Sequence, residues 1–215
     1  PNKYSLTGNV DLNDDDKVFL VQMKDNRPVL IDSSTVVSGE FKFSDSINFP
    51  EMHYLFFDKI TGNIPFVLEP GNIKIDVYKD SLRSSKITGT KSNKDWTDYL
   101  SQTQPYTSEL NNIQIEINQS LRLGDSVLIY DLEEQFIDMR SKLVDYEFLF
   151  MNNRKESYIS ALILQRMIFE RSIDYDKADS ILNTFDKTLE NTNPYVSVRN
   201  IIDNYKLSNI ESPNI

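Results

Sequence analysis

The chain of 215 residues has no cysteine, a single histidine and few glycines. It also has no apolar run near the ~20 residues needed to span a bilayer. Without cysteine there is no disulfide, no thiol nucleophile and no thiolate metal site. One histidine, His53, leaves a catalytic triad or a histidine-rich metal centre short of parts. Within "EMHYLFF" it reads as an edge or surface residue of a strand. Positive charge is scarce as well: 23 Lys and Arg stand against 33 Asp and Glu, for a net charge of −10. Nucleic-acid affinity comes largely from cations that neutralise phosphates, so no nucleic-acid partner is expected. Docking on an anionic membrane face is disfavoured for the same reason.

What is present is ordinary globular material, 39% hydrophobic and 26% charged. A chain of this length buries roughly 70% of its unfolded surface. It opens Pro1-Asn2-Lys3 without Met, which reads as a processed or artificially shortened product, with removal of a targeting segment as one reading. Its last stretch, "NIESPNI", residues 209–215, reads as a truncated linker.

The first ninety residues alternate with period two. Tyr4, Leu6 and Val10 share one side of "KYSLTGNV". "KVFLVQM" and "PVLIDSSTVV" follow, split by the turn "KDNR". Phe41, Phe43 and Asp45 alternate after Gly39. "MHYLFFD" is a continuous apolar run, as expected of a strand covered on both faces. Pro70 and Gly71 suit the two centres of a type II turn. Beyond it Ile73, Ile75 and Val77 alternate with polar residues. Short β-branched and aromatic runs punctuated this regularly predict an antiparallel β-sandwich-like domain over residues 1–91.

After Ser92 the period becomes 3.6. Trp96, Leu100, Thr103, Leu110, Ile113, Ile117 and Leu121 make one stripe, which Pro105 is expected to kink or break. A second stripe runs Leu132, Phe136, Met139, Leu143, Tyr146 and Phe150. A third gathers around Tyr158, Leu162 and Phe169, and a fourth holds Ala178, Ile181, Leu182, Phe185 and Leu189. The last helix opens "TNPYVSV", with Asn193 as N-cap and Pro194 at the first helical position. The prediction is α+β: the sheet domain, then about five helices over 92–208.

"ITGTKSNKDW", residues 87–96, holds the switch between these styles. As a phosphate loop it fails on spacing, because only Gly89 precedes Lys91-Ser92. As a junction it fits: Gly89 turns, Ser92 or Asn93 caps the helix, and Asp95 sits in the first turn. "DLNDDDK" (Asp11–Lys17) imitates an EF-hand start but lacks the sixth-position Gly, and Gln22 stands where the bidentate Glu belongs. It reads as an acidic hairpin turn. The helical carboxylates Glu133, Glu134, Asp138 and Glu147 read as a solvated face. No catalytic, cofactor or metal residue is assigned. Tyr54, Phe56 and Phe66 are the candidate lining of a ligand groove, although clustered sheet aromatics usually form core. Five helices and one small sheet also offer surplus apolar faces, which points to a homodimer contact.

The runs "YSLTGNV", "VLIDSSTVVSGEFKFSDSI", "IPFVLEPGNIKIDV" and "ITGTKSNKDW", in that order, resemble an uncharacterised domain. It is the N-terminal domain of Bacteroidetes-type envelope thiol-disulfide oxidoreductases, where it precedes a thioredoxin-like domain. The family pattern places a strand-to-strand hairpin at "EPGN" and a glycine where this chain has Asp45. The helical part is similar only in layout. The resemblance implies a periplasmic or envelope protein, lipid-anchored through a segment outside this chain, and a redox client or envelope partner. With no C-x-x-C pair in these residues, it carries over no catalytic residue and implies a non-catalytic module.

Overall fold

A computed structural model describes residues 2–25 and 27–210. The expected linker falls mostly on residues 211–215, outside the described residues. Eight strands come first: β1 (Lys3–Asn9), β2 (Lys17–Lys24), β3 (Arg27–Thr35), β4 (Glu40–Ser46), β5 (Glu51–Phe57), β6 (Ile60–Leu68), β7 (Gly71–Asp76) and β8 (Lys86–Thr88). Five helices follow: α1 (Lys91–Leu123), α2 (Ser126–Asn153), α3 (Tyr158–Phe169), α4 (Tyr175–Leu182) and α5 (Asn193–Ile210). The architecture is α+β, as the change of period predicts.

The strands form two four-stranded sheets, ordered β4-β1-β7-β8 and β3-β2-β5-β6. Alternation places Leu6, Leu20, Phe41, Leu55, Phe66, Ile73 and Ile75 in one shared core, each at most 1% exposed. All strand pairs are antiparallel except β1–β7, which run parallel from Tyr4↔Gly71 to Asn9↔Asp76. Parallel neighbours need a long crossover, and here β2 to β6 supply it. The "EPGN" turn is accordingly not a hairpin. Gly71 has φ +127°, but the chain there passes from β6 in one sheet to β7 in the other.

The helices follow the stripes with three differences. Pro105 does not break α1, which stays helical through all 33 residues. Its missing N–H is tolerated because the tertiary seam against α2 holds both sides: Thr103, Ile113 and Ile117 are buried on one face. That seam is phased by Tyr99, Thr103, Ile113, Ile117 and Ser120, whereas Leu100 and Leu121 point outward. Asn193 is not the N-cap of α5. The carbonyl of Thr192 accepts the first helical bond from Val196, and the Asn193 amide donates instead to Glu51 Oε1.

A second core collects α2 to α5 around Ile159, Leu164, Met167, Val198 and Ile202. Val67 of β6 belongs to this core, and Met52 packs against it. One end of the β3-β2-β5-β6 sheet therefore has helices on its outer face. A third, small cluster of Ile113, Ile117 and Leu132, with Phe136 and Met139 beside it, is built from α1 and α2 alone.

Candidate functional site

The junction is where the sheet positions the helices. β6 is an edge strand, and Val67 turns its N–H and C=O outward. The Asn93 amide takes both: Oδ1 accepts from Val67 N at 2.9 Å, and Nδ2 donates to Val67 O at 2.7 Å. Asn93 thus extends the ladder as another strand residue would, and it is fully buried. One turn on, Trp96 Nε1 donates to Pro65 O at 3.2 Å. The expected caps are revised. α1 starts at Lys91 with Thr90 as N-cap, whose side chain makes no capping bond. Glu69 does the capping from the strand end: its carboxylate accepts Ser92 N at 2.9 Å and Ser92 Oγ at 2.7 Å. An anion there also meets the positive end of the helix dipole. Asp95 falls in the second turn, where it pairs with Arg154 Nη1 at 2.6 Å. Arg154 Nη2 holds Asp98 at 3.1 Å, and Lys94 and Arg154 together keep the Asp98 carboxyl below the usual carboxylate range.

The three groove aromatics are not brought together. In β5, His53, Leu55 and Phe57 face the sandwich core, while Met52, Tyr54 and Phe56 lie half-buried on the opposite face. Phe66 is fully buried on the core side, its ring 6.5 Å from that of His53. Tyr54 and Phe56 therefore share a face from which Phe66 is excluded. His53 itself is not a surface residue: it is 3% exposed, and burial pushes its pKa down. The period-two rule places 53 with 55 and 57, so alternation alone carried the signal that its polar type concealed.

The acidic run Asp11–Asp16 is a folded turn. Asp14 Oδ1 accepts Ser38 N at 2.7 Å, and Asp16 Oδ1 pairs with Lys59 Nζ at 2.5 Å. Among the described residues no group of three His, Asp or Glu side chains could hold a metal ion. No helix there is long and apolar enough to cross a membrane.

Glu147 is not solvated either. It is 1% exposed between α1, α2 and α3. Its Oε1 accepts Tyr99 OH at 2.7 Å, and Arg166 Nη2 lies 2.6 Å away as an ion pair without hydrogen-bond alignment. Burial, then the Glu147 charge, pushes the Tyr99 hydroxyl pKa far up. This cluster locks three helices together, and a Tyr that keeps its proton and an Arg that keeps its charge offer no proton transfer near neutral pH.

Two surface features remain. A polar cleft between the β4–β5 loop and the start of α5 is lined by Asn48, Phe49, Glu51, Asn191 and Asn193. Burial pushes the Glu51 carboxyl pKa up there, and the Phe49 ring is exposed. The other feature is the outer part of the α1–α2 hairpin. Its groove is lined by Gln114, Ile117, Glu133, Phe136 and Ile137. Leu121, Leu123, Val127, Tyr130 and Ile137 are each more than half exposed on this hairpin. Sequence periodicity identified Ile113, Ile117 and Leu132 of the seam but put Leu121 on it as well, because a residue's outward phase appears only once the partner helix is placed.

No curated protein matches the chain. Residues 4–96, from the first strand through the opening turns of α1, match a family model described as a domain of unknown function (DUF4369), and the match ends on Trp96, the residue that ties α1 to β6.

Proposed function

We propose that this chain is a non-catalytic positioning module, holding a partner through the outer α1–α2 hairpin. The observation that carries the reading is the hairpin itself. α1 is roughly 50 Å long at 1.5 Å per residue, yet the apolar cluster that joins its outer half to α2 has three buried members, Ile113, Ile117 and Leu132. Large apolar side chains left outside such a seam mark an interaction surface. The resemblance to the N-terminal part of envelope thiol-disulfide oxidoreductases supplies the setting. There the module would raise the local concentration of a redox domain near its client, by tethering. An envelope location with a lipid anchor belongs to the same proposal, and a second copy is the alternative occupant of the hairpin.

The test is the intact mass and the C-terminal peptides of the protein taken from its native membrane fraction. A mass larger by about 15 kDa, one small domain, together with a C-x-x-C peptide, supports the tethering role. A native protein ending near Ile215 removes the redox role.

A second reading has an observation of its own. The Asn48–Asn191–Asn193 cleft, with Glu51 and the exposed Phe49 ring, has amide and aromatic groups suited to a glycan. Saturable binding of oligosaccharides, lost in Phe49→Ala, would favour it over the positioning role.

A further inference from the structure

The hairpin groove has a chemistry that selects its occupant. Ile117 and Phe136 form its apolar floor, with Gln114 on the α1 side and Glu133 and Ile137 on the α2 side. Leu121 lies seven residues from Gln114, and Tyr130 lies seven from Ile137. Each therefore continues its wall toward the tip on the same helix face. Leu121 is 59% exposed, Tyr130 62% and Ile137 68%. The apolar strip is thus two to three turns long and flanked by polar groups, the shape that accepts one face of an amphipathic helix.

Charge decides which helix. Between residues 104 and 142 the hairpin carries seven carboxylates and three cations. Two of those cations are engaged: Arg140 with Glu170 at 2.5 Å, and Lys142 with Asp138 at 2.7 Å. A second copy would bring the same negative hairpin against this one, and like charges across an interface are costly. Glu133 stands in the groove wall without an ion-pair partner among the described residues.

We propose that the α1–α2 groove binds a basic amphipathic helix of another protein, with apolar anchors at i, i+3 or i+4, and i+7 seated on Ile117, Phe136 and Ile137 and with Lys or Arg facing Glu133. The inference rests on the positioning role proposed above and names the kind of partner. Docking such a helix converts the two-helix hairpin into a three-helix bundle and buries the side chains that are now exposed.

The test uses the full chain and two synthetic helices of about 18 residues, five turns, one built from Leu and Lys and the other from Leu and Glu. Labelled peptide is titrated with protein and followed by fluorescence anisotropy, at low and at raised salt. The Leu/Lys helix is expected to bind at least about tenfold more tightly than the Leu/Glu helix, a difference of about 1.4 kcal/mol. Leu121→Ser with Ile137→Ser should weaken it by a similar factor while the circular dichroism spectrum stays unchanged. Ile115→Ser, on a different face of α1, should leave binding as it was. Glu133→Gln should lower the affinity and flatten its salt dependence.

Equal binding of both peptides overturns the proposal, as does equal weakening by Ile115→Ser. A protein that sediments as a dimer, and turns monomeric in the Leu121→Ser, Ile137→Ser variant, assigns the groove to a second copy; the inference then fails while the positioning role stands. A monomer that binds neither helix also overturns the inference, and the positioning role is then decided by the native mass alone.

Discussion

Asn93→Ala removes the side chain that completes the edge of β6. Two backbone groups of the fully buried Val67 lose their partners, at 2.9 and 2.7 Å, and Thr90 Oγ1 loses a donor at 2.8 Å. An unsatisfied buried polar group costs about 1–3 kcal/mol. Two such groups give about 4 kcal/mol, which partial entry of water would reduce to about 3 kcal/mol. For a domain of this size each kcal/mol shifts Tm by about 2–4 °C, so the expected loss is about 10 °C. The assay is urea unfolding of wild type and Asn93→Ala at neutral pH, with Lys94→Ala as the exposed neighbour. Lys94 pairs with Asp98 at the surface, so its removal should cost under about 1 kcal/mol. An Asn93→Ala loss below about 0.5 kcal/mol would refute the reasoning, because the amide would then not be what holds α1 to the sheet.

Gly89→Ala should destabilise by at least about 2 kcal/mol, since φ is +109° and a Cβ would lie 2.0 Å from Asn72 O; the urea midpoint measures it. Tyr158→Phe deletes the hydroxyl that accepts Met52 N–H at 3.2 Å and should cost about 1 kcal/mol in the same experiment. His53 adds a pH dependence. Burial holds its folded pKa below its unfolded value, so the unfolded chain takes up the proton first. Its contribution is fully present above about pH 6.5 and is lost as pH falls toward the folded pKa, by at most about 1.4 kcal/mol per pH unit. The stability difference between wild type and His53→Leu should move in favour of the variant as pH falls from neutral to mildly acidic, and a difference that does not change with pH would refute the assignment. Arg154→Ala strands the nearly buried Asp95 carboxylate and should cost about 2 kcal/mol, read as a lower Tm.

The function of the junction segment shows how far local chemistry reads. Gly89 as the turn and the start of α1 just beyond it were legible because a positive φ and a helix start have local residue preferences. The cap was not, because Glu69 reaches Ser92 from 23 positions earlier in the chain. Pro105 predicts a kink or break through its intrinsic cost of about 3 kcal/mol, and the shared seam with α2 keeps the helix unbroken.

The sequence by itself determined the element types and their faces: period two placed Leu6, Leu55 and Ile75 inside, and period 3.6 placed Leu132, Leu143 and Phe150 on one seam. Both periods are local consequences of backbone geometry. The parallel β1–β7 pair, the separation of Phe66 from Tyr54 and Phe56, the burial of Glu147 and the exposed wall of Leu121, Tyr130 and Ile137 were decided only in three dimensions. Each depends on which elements lie beside one another, and that is set by contacts between residues far apart in the chain.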